Sequence, residues 1–458
     1  MSTGKRGGPR PGGARRGTAV VVAYYAPPAL GIASNRLVGL LRYLPELGWD
    51  PVLVAPASVH HHRASGEGEP LAAVSVVRVP NPEPSRWLRA LAGGLRPGGG
   101  GEASREPGTV EELRPVPTGV LRSWARRLVN EWLYVPDAQA LWIPAAGRAA
   151  AQALREAEGR PRVVFSTSVP FSCHFAARRA ARETGVPWVA EYRDPWSVAP
   201  PQFGRRSALR RAVDRRLDHG LAVAARHLVV TSEQTRSLFL KAFPELTAAE
   251  VTVIRNGWEE VAPATDSAPP GPGEPLGLAY AGSLLRPEWA TPFLAALERI
   301  LEDAPGALVL DVYGPEEPWL ALARGRPGGA AHVRLHGMLP AAEAAAALRR
   351  ASVLVLLQPD AVNYVPGKAY DYLGARRPVV ADVPAGSETH GLLAEYGEVH
   401  SLHDLDTDGI ASVLRGMLER HRRGLLAEPT VAQDTVDVLS RRAQMARLAR
   451  VFDGVVEP

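Results

Sequence analysis

Short apolar runs alternate with helix-patterned stretches along the whole of this chain, and that alternation restricts it to layered α/β folds built on parallel sheets. Thr18 to Tyr24 reads as a continuous buried strand that ends in the loop Tyr25-Ala-Pro-Pro-Ala-Leu-Gly-Ile-Ala33. A helix is expected from Ser34, a good N-cap, with Leu37, Leu40, Leu41 and Leu44 at helical spacing and Gly48 as its stop. A second strand, Pro51 to Ala55, completes one βαβ unit. The loop at the carboxyl end of its first strand is where such sheets bind ligands. Further strands are expected at Val74 to Val79, Val163 to Ser166, Trp188 to Tyr192 and His227 to Thr231.

A second alternating block follows the proline-rich stretch Val261 to Pro275, with strands expected at Leu276 to Tyr280, Ala307 to Tyr313, His332 to His336, Ser352 to Leu357 and Pro378 to Ala381. The expectation is two Rossmann-like, doubly wound domains over 18–258 and 276–433, joined by a semi-rigid linker at 259–275. A disordered Gly/Pro/Arg tail at 1–17 precedes them, and a helix, Thr435 to Val456 within 434–458, closes the chain and returns to the first domain. Gly93 to Thr118 is too rich in Gly, Pro and charge to hold a core, so it reads as a mobile insertion. Arg86-Trp-Leu-Arg-Ala-Leu-Ala92 and Leu121 to Leu133 flank it, and their mix of Trp, Leu and Arg fits either packing on the domain or an anionic membrane surface.

At 458 residues and 46% hydrophobic content the chain has ample material for two large cores. Its single cysteine, Cys173, excludes an intramolecular disulfide and a multi-cysteine zinc site, which fits the cytoplasm. There is no run of about 18 apolar residues to span a bilayer, and 1–17 lacks the apolar core of a signal peptide. The net charge of +5 is modest for this length, and no nucleic-acid motif accompanies the scattered arginines, so no nucleic-acid partner is expected.

Lys5, Lys241 and Lys368 are the only lysines among 53 basic residues, and one of them sits in the loop Tyr364-Val-Pro-Gly-Lys-Ala-Tyr-Asp-Tyr-Leu-Gly374. Pro366-Gly367 is a turn signal, and Lys368 to Gly374 reads as a short helix with Ala369, Tyr370, Tyr372 and Leu373 packed inward. Lys368 would then stand at a helix start, where backbone N–H groups favour an anion, with Asp371 one turn on upon the same face. Two readings of this pair stay open: a surface Lys/Asp ion pair, or a phosphate contact beside an acceptor for sugar hydroxyls. His60-His-His62 does not place three ligands around one ion, and no metal is expected. Asp311 and Glu316-Glu317 are either a base or a solvated strand end and loop.

In their order and spacing, Tyr24-Tyr25-Ala-Pro-Pro, Arg42 to Pro51, Pro136-Asp137 with Trp142-Ile-Pro-Ala, Ser166-Thr-Ser-Val-Pro170, Pro187 to Trp196, Val230-Thr-Ser232, Ile254-Arg-Asn-Gly257, Tyr280-Ala-Gly-Ser283 and the lysine loop resemble the GT-B glycosyltransferases. The likeness is greatest to family 4 and runs from about Thr18 to about Val456. It implies two Rossmann-like domains facing across a cleft, and retaining transfer of a sugar from a nucleoside-diphosphate donor without a metal. Lys368, Arg286, Arg193 and Asp194 are the implied catalytic residues. The donor would meet Gly31, Gly282, Ser283, Gly367, Lys368, Asp371 and Tyr372, and the acceptor Tyr25, Ser168 and Arg193. Implied acceptors are a glycan, a lipid-linked glycan or a small natural product, reached in the cytoplasm or on the cytoplasmic face of a membrane.

The chain departs from the family pattern in three places. The family's Glu-x7-Glu pair is replaced: Asp371 resembles its second, ribose-binding member, while Asn363 stands where the first would be, as in a branch written Gly-Lys-x-x-Glu/Asp-Tyr-Leu. Gly282 is followed by Ser283 rather than Arg, leaving Arg286 as the nearest cation for a diphosphate. Arg193-Asp194 stands where many members place a histidine. The alternatives are a nucleotide-sugar epimerase on the same scaffold and an inactive sugar-binding homologue.

Overall fold

Two parallel sheets organise the chain in this computed structural model, which describes residues 17–27, 32–57, 74–82, 135–199, 206–260, 268–284, 286–326, 329–362 and 364–457, together with Trp132. The chain divides into two units, Met1–Ile254 with Met445–Pro458, and Arg255–Gln444. The first unit holds a seven-stranded sheet in the order β3-β2-β1-β4-β5-β6-β7. Its strands are β1 (Gly17–Val22), β2 (Trp49–Pro56), β3 (Ser75–Val79), β4 (Arg162–Thr167), β5 (Trp188–Tyr192), β6 (His227–Val230) and β7 (Val251–Val253). The order reverses between β1 and β4, the switch point at whose carboxyl side open α/β sheets place ligands.

The near-continuous apolar strands follow from burial on both faces. In β1, Val20 and Val22 enter one core and Ala19 and Val21 the other. On the first face lie α2 (Ile143–Glu156) and α3 (Ser172–Thr184), whose alanines allow close approach. On the second face lie α1 (Ile32–Tyr43), through Leu37, Leu40 and Leu41, and the end of the chain, through Met445, Leu448, Ala449 and Phe452. Phe452 meets the rings of Trp49 and Phe165 edge-on, with centroids 5.4 and 5.6 Å away, and Trp49 Nε1 donates to Asp453 at 3.2 Å. The remaining helices of this unit include α4 (Ala208–Ala222) and α5 (Glu233–Ala242).

The second unit holds a six-stranded sheet in the order β10-β9-β8-β11-β12-β13. Its strands are β8 (Leu276–Ala281), β9 (Leu308–Tyr313), β10 (Val333–Leu335), β11 (Val353–Leu357), β12 (Val379–Asp382) and β13 (Val399–Ser401). Here the order reverses between β8 and β11, and the same two-faced pattern recurs: Leu276, Leu278 and Tyr280 point to one core, Ala279 to the other. Its helices include α6 (Thr291–Asp303), α7 (Pro318–Arg324), α8 (Ala341–Arg350), α9 (Gly367–Ala375), α10 (Glu388–Tyr396), α11 (Thr407–Arg422) and α12 (Gln433–Asp437). The last helix, α13 (Arg441–Val456), contains the Gln444–Met445 crossing to the first unit.

Three expectations change. Ser34 lies inside α1, which begins at Ile32, so it is not the N-cap. The three-residue edge strands β7 and β13 had not been foreseen. The closing helix is broken between α12 and α13, where Trp258 N–H donates to Leu439 O and Arg441 N–H to Trp258 O. Gly257, at φ +71°, permits that pairing: a Cβ there would lie 2.8 Å from Leu439 O. The tail apart from Gly17, which instead opens β1, the insertion at 93–118, Gly31, His60 to His62, Asn363, 261–267 of the linker and all of the Trp/Arg segments but Trp132 lie outside the described residues.

Candidate functional site

In the second unit, the ends of β8 and β9 and the start of α9 meet around Lys368. Gly282 follows β8 with φ +88° and donates its N–H to Tyr313 O at 2.8 Å. Its carbonyl oxygen lies only 2.5 Å from where a Cβ on Gly314 would be, so 282 needs glycine for its dihedral and 314 needs it for space. Lys368, the second residue of α9, reaches this corner. Its Nζ donates to Tyr280 Oη at 2.8 Å and to Ser283 O at 3.0 Å, and Tyr280 Oη donates to the same carbonyl at 2.9 Å. The Tyr280 ring lies 4.4 Å from Nζ and is held edge-on by Trp319 at 5.4 Å. One proton of the ammonium is left over, and among the described residues no carboxylate approaches Lys368 within 4.0 Å. Burial pulls the amine down to about 8, opposed by the charge of Glu317. At neutral pH the group is a half-buried cation with an open donor.

Glu317, read as a base or a solvated loop residue, is engaged within its own loop. Its Oε2 accepts from Leu284 N–H at 2.8 Å and Trp319 Nε1 at 2.9 Å, which pins the loop after β8. Asp311 pairs with His336 Nε2 at 2.6 Å, and that imidazole stacks on Tyr313. Tyr372 is fully buried; its hydroxyl accepts from Ala281 N–H and donates to Val355 O, both at 3.0 Å. It ties β8 to β11 and has no free atom for a ligand, so the expectation of direct donor contact is corrected to one of support. Ser283 joins the site through its carbonyl, with its side chain exposed. Gly367 opens α9 after Pro366. Arg286 is exposed, and its guanidinium lies 5.7 Å from the Trp289 ring centroid.

Asp371, one turn beyond Lys368, presents an exposed side chain and makes no ion pair with it. Crowding by surrounding protein pushes its carboxyl up to about 6, opposed by Arg441 and aided by Glu259. Its access to water tempers that push, and in either case it is ionised at neutral pH.

The first unit gathers a buried charge cluster at the carboxyl ends of β4 and β5. Glu191 Oε1 accepts from Arg36 Nε at 3.0 Å and Nη2 at 2.6 Å, and Oε2 accepts from Thr167 Oγ1 at 2.7 Å. Burial raises the Glu191 carboxyl, but the Arg36 charge and these bonds together pull it below its ordinary value. Arg36 also donates to Ile254 O at 3.0 Å. Arg193 Nε donates to Ser168 O, and its own carbonyl accepts from Thr231 Oγ1. Ser168 is fully buried with Oγ turned to Glu191 O at 3.3 Å, so it braces the loop and does not face an acceptor. Asp194 is exposed beside it, and Tyr25 is half-buried with its ring edge-on to Tyr24 at 5.5 Å. Arg36 and Glu191 were not singled out from the sequence. The signal was present: one charge in an apolar strand and one on the apolar stripe of α1.

Among the described residues no cluster of three or more His, Cys, Asp or Glu is arranged to hold a metal ion, and no helix is long and apolar enough to cross a membrane.

Residues 103–260 match the family model described as Glycosyltransferase Family 4. No curated protein sequence matches the chain. Among solved structures it is similar to a sucrose-phosphate synthase from Thermosynechococcus elongatus, at 14% identity and a TM-score of 0.56 over 96% of this chain and 99% of that one. It is similar to HepE of Anabaena, solved in complex with UDP and glucose, at 12% identity and a TM-score of 0.58 over 95% and 99% of the two chains. A third similar structure is the lipopolysaccharide outer core galactosyltransferase WaaB, at 12% identity and a TM-score of 0.53 over 94% and 99%. The chain has the GT-B fold, and the likenesses span nearly all of it.

Proposed function

We propose that this GT-B chain is a retaining glycosyltransferase that moves a sugar from a nucleoside-diphosphate donor to an acceptor hydroxyl in the cytoplasm. The observation that carries the reading is the Lys368 ammonium, anchored by Tyr280 and Ser283 beside Gly282 yet still holding one uncommitted proton. A compact cation so fixed is suited to a diphosphate. UDP and glucose in the complex with HepE support this class of donor.

In the proposed reaction the bond from the anomeric carbon to the β-phosphate oxygen breaks, and its electron pair leaves with the phosphate. The acceptor oxygen bonds the anomeric carbon on the same face, and the leaving phosphate takes the acceptor proton. Charge grows on the phosphate as the bond stretches, so Lys368 contributes most in the transition state; a donor of this kind is worth about 3 to 4 kcal/mol. Asp371 accepts from the ribose hydroxyls. Gly282, Ser283 and Gly367 supply backbone shape and dipoles, and Arg286 swings from Trp289 to the phosphates. Arg193, Asp194 and Tyr25 meet the acceptor, a glycan, a lipid-linked glycan or a small natural product. No metal takes part. A thermal-shift screen of nucleoside diphosphates and their sugars tests the reading: stabilisation by one base class supports it, and no stabilisation by any rejects it.

A further inference from the structure

A second charged recess lies in the first unit, at the opposite end of its sheet from Glu191 and Arg193. Arg226 precedes β6, His227 opens β6, and Glu250 and Thr252 flank the start of β7; Arg447, Arg450, Val451, Gly454 and Val455 of α13 form the facing side. The recess has a volume of ≈ 500 Å³, within the usual range for small-ligand sites.

The lining carries three arginines against one acid, Glu250, which feels the charge of Arg226. Arg447 and Arg450 are three apart, so they share a face of α13, and Arg226 comes from a different element. All three are exposed, and among the described residues none has a hydrogen-bond acceptor or a carboxylate in ion-pair range. The one acid in the lining, Glu250, is engaged: it accepts from Thr247 N–H and Oγ1, both at 2.8 Å. The His227 ring is taken by Thr252 Oγ1 at 2.8 Å, and burial holds it below its ordinary value. Val451 and Val455 supply a half-buried apolar floor beside these cations.

We propose that this recess binds a phosphate-bearing organic anion, the three guanidiniums forking onto the phosphate oxygens and the organic part lying on the two valines. Arginine suits this task because its planar donors match phosphate oxygens two at a time. The shared chemistry is a phosphate group on a small organic body, carried free in solution or as a lipid headgroup.

The test uses the full chain carrying Lys368→Ala, so that the donor site proposed above contributes nothing and its failure stays separate from failure here. Calorimetric titration with pyrophosphate reads the free source, and co-sedimentation with phosphatidylglycerol vesicles, against phosphatidylcholine vesicles, reads the headgroup. The expected result is binding in at least one arm, weakened at least tenfold by Arg447→Ala with Arg450→Ala, and again by Arg226→Ala from the other wall. Binding in the pyrophosphate arm assigns a free ligand, and binding in the vesicle arm alone assigns a lipid. Absence of binding in both arms, or binding indifferent to these variants while circular dichroism shows them folded, overturns the proposal.

Discussion

Replacing Lys368 with alanine removes one ammonium and leaves its surroundings standing, because Tyr280 Oη still donates to Ser283 O at 2.9 Å and Glu317 still pins Leu284. The fold loses little, since the amine is half-buried and burial already disfavours its charged form. The loss falls on the ligand. A charge-assisted bond to a phosphate oxygen is worth about 1.5 to 3 kcal/mol, so affinity for the preferred nucleoside diphosphate drops roughly 10- to 150-fold while its nucleoside is unaffected. The pH dependence sharpens the test. Only the protonated amine binds an anion, and the free amine titrates at about 8, so raising the pH from 7 to 9 weakens wild-type binding about tenfold. The alanine variant shows no such step. Isothermal titration calorimetry across that range measures both effects. Equal affinity in variant and wild type, or an identical pH profile in the two, refutes the reasoning.

Other positions give further outcomes. Asp371→Asn weakens nucleotide binding about five- to tenfold with no loss of melting temperature, since the side chain is exposed; equal affinity for ribose and deoxyribose diphosphates in the wild type would remove its role. Gly314→Ala presses a methyl onto Gly282 O and lowers stability by about 1 to 3 kcal/mol in denaturant titration, together with donor affinity. Glu191→Gln removes the carboxylate charge that faces the buried Arg36 guanidinium and destabilises by about 3 to 5 kcal/mol, whereas Arg36→Met with Glu191→Leu recovers most of it. Because the folded Glu191 carboxyl is depressed, its contribution is present above the ordinary carboxylate range and disappears as acid drives the pH below it. The double variant therefore loses less stability than wild type as the pH falls below the ordinary carboxylate range.

Strands with two buried faces announce themselves as unbroken apolar runs, which is why β5 was read to the residue and β11 to within one. Of the three edge strands only three residues long, β10 was expected within His332 to His336, while β7 and β13 escaped notice. Partnerships across sequence are harder still. The clustering of Lys368 with Gly282 and Ser283 was suggested by family likeness, but the hydroxyl and ring of Tyr280 that anchor the amine had no local mark. Nor did sequence separate contact from support. Tyr372 and Ser168 occupy motif positions like any ligand-binding residue, yet their hydroxyls are spent on backbone groups.

That division between spent and unspent polar atoms orders both charged corners. At the β8 corner the buried groups, Tyr372 and Trp319, fix strand ends, and the half-buried Lys368 keeps one proton uncommitted. At the β5 corner Arg36, Glu191 and Thr167 neutralise one another in the interior, and the exposed Asp194 lies beside them. A site built this way tolerates change in its exposed residues without unfolding, and loses its geometry when an interior partner is removed. Lys368→Ala and Glu191→Gln should therefore separate cleanly, the first costing affinity at unchanged melting temperature and the second costing melting temperature first. If Lys368→Ala instead unfolds the chain, the ammonium belongs to the scaffold, and the division drawn here is false.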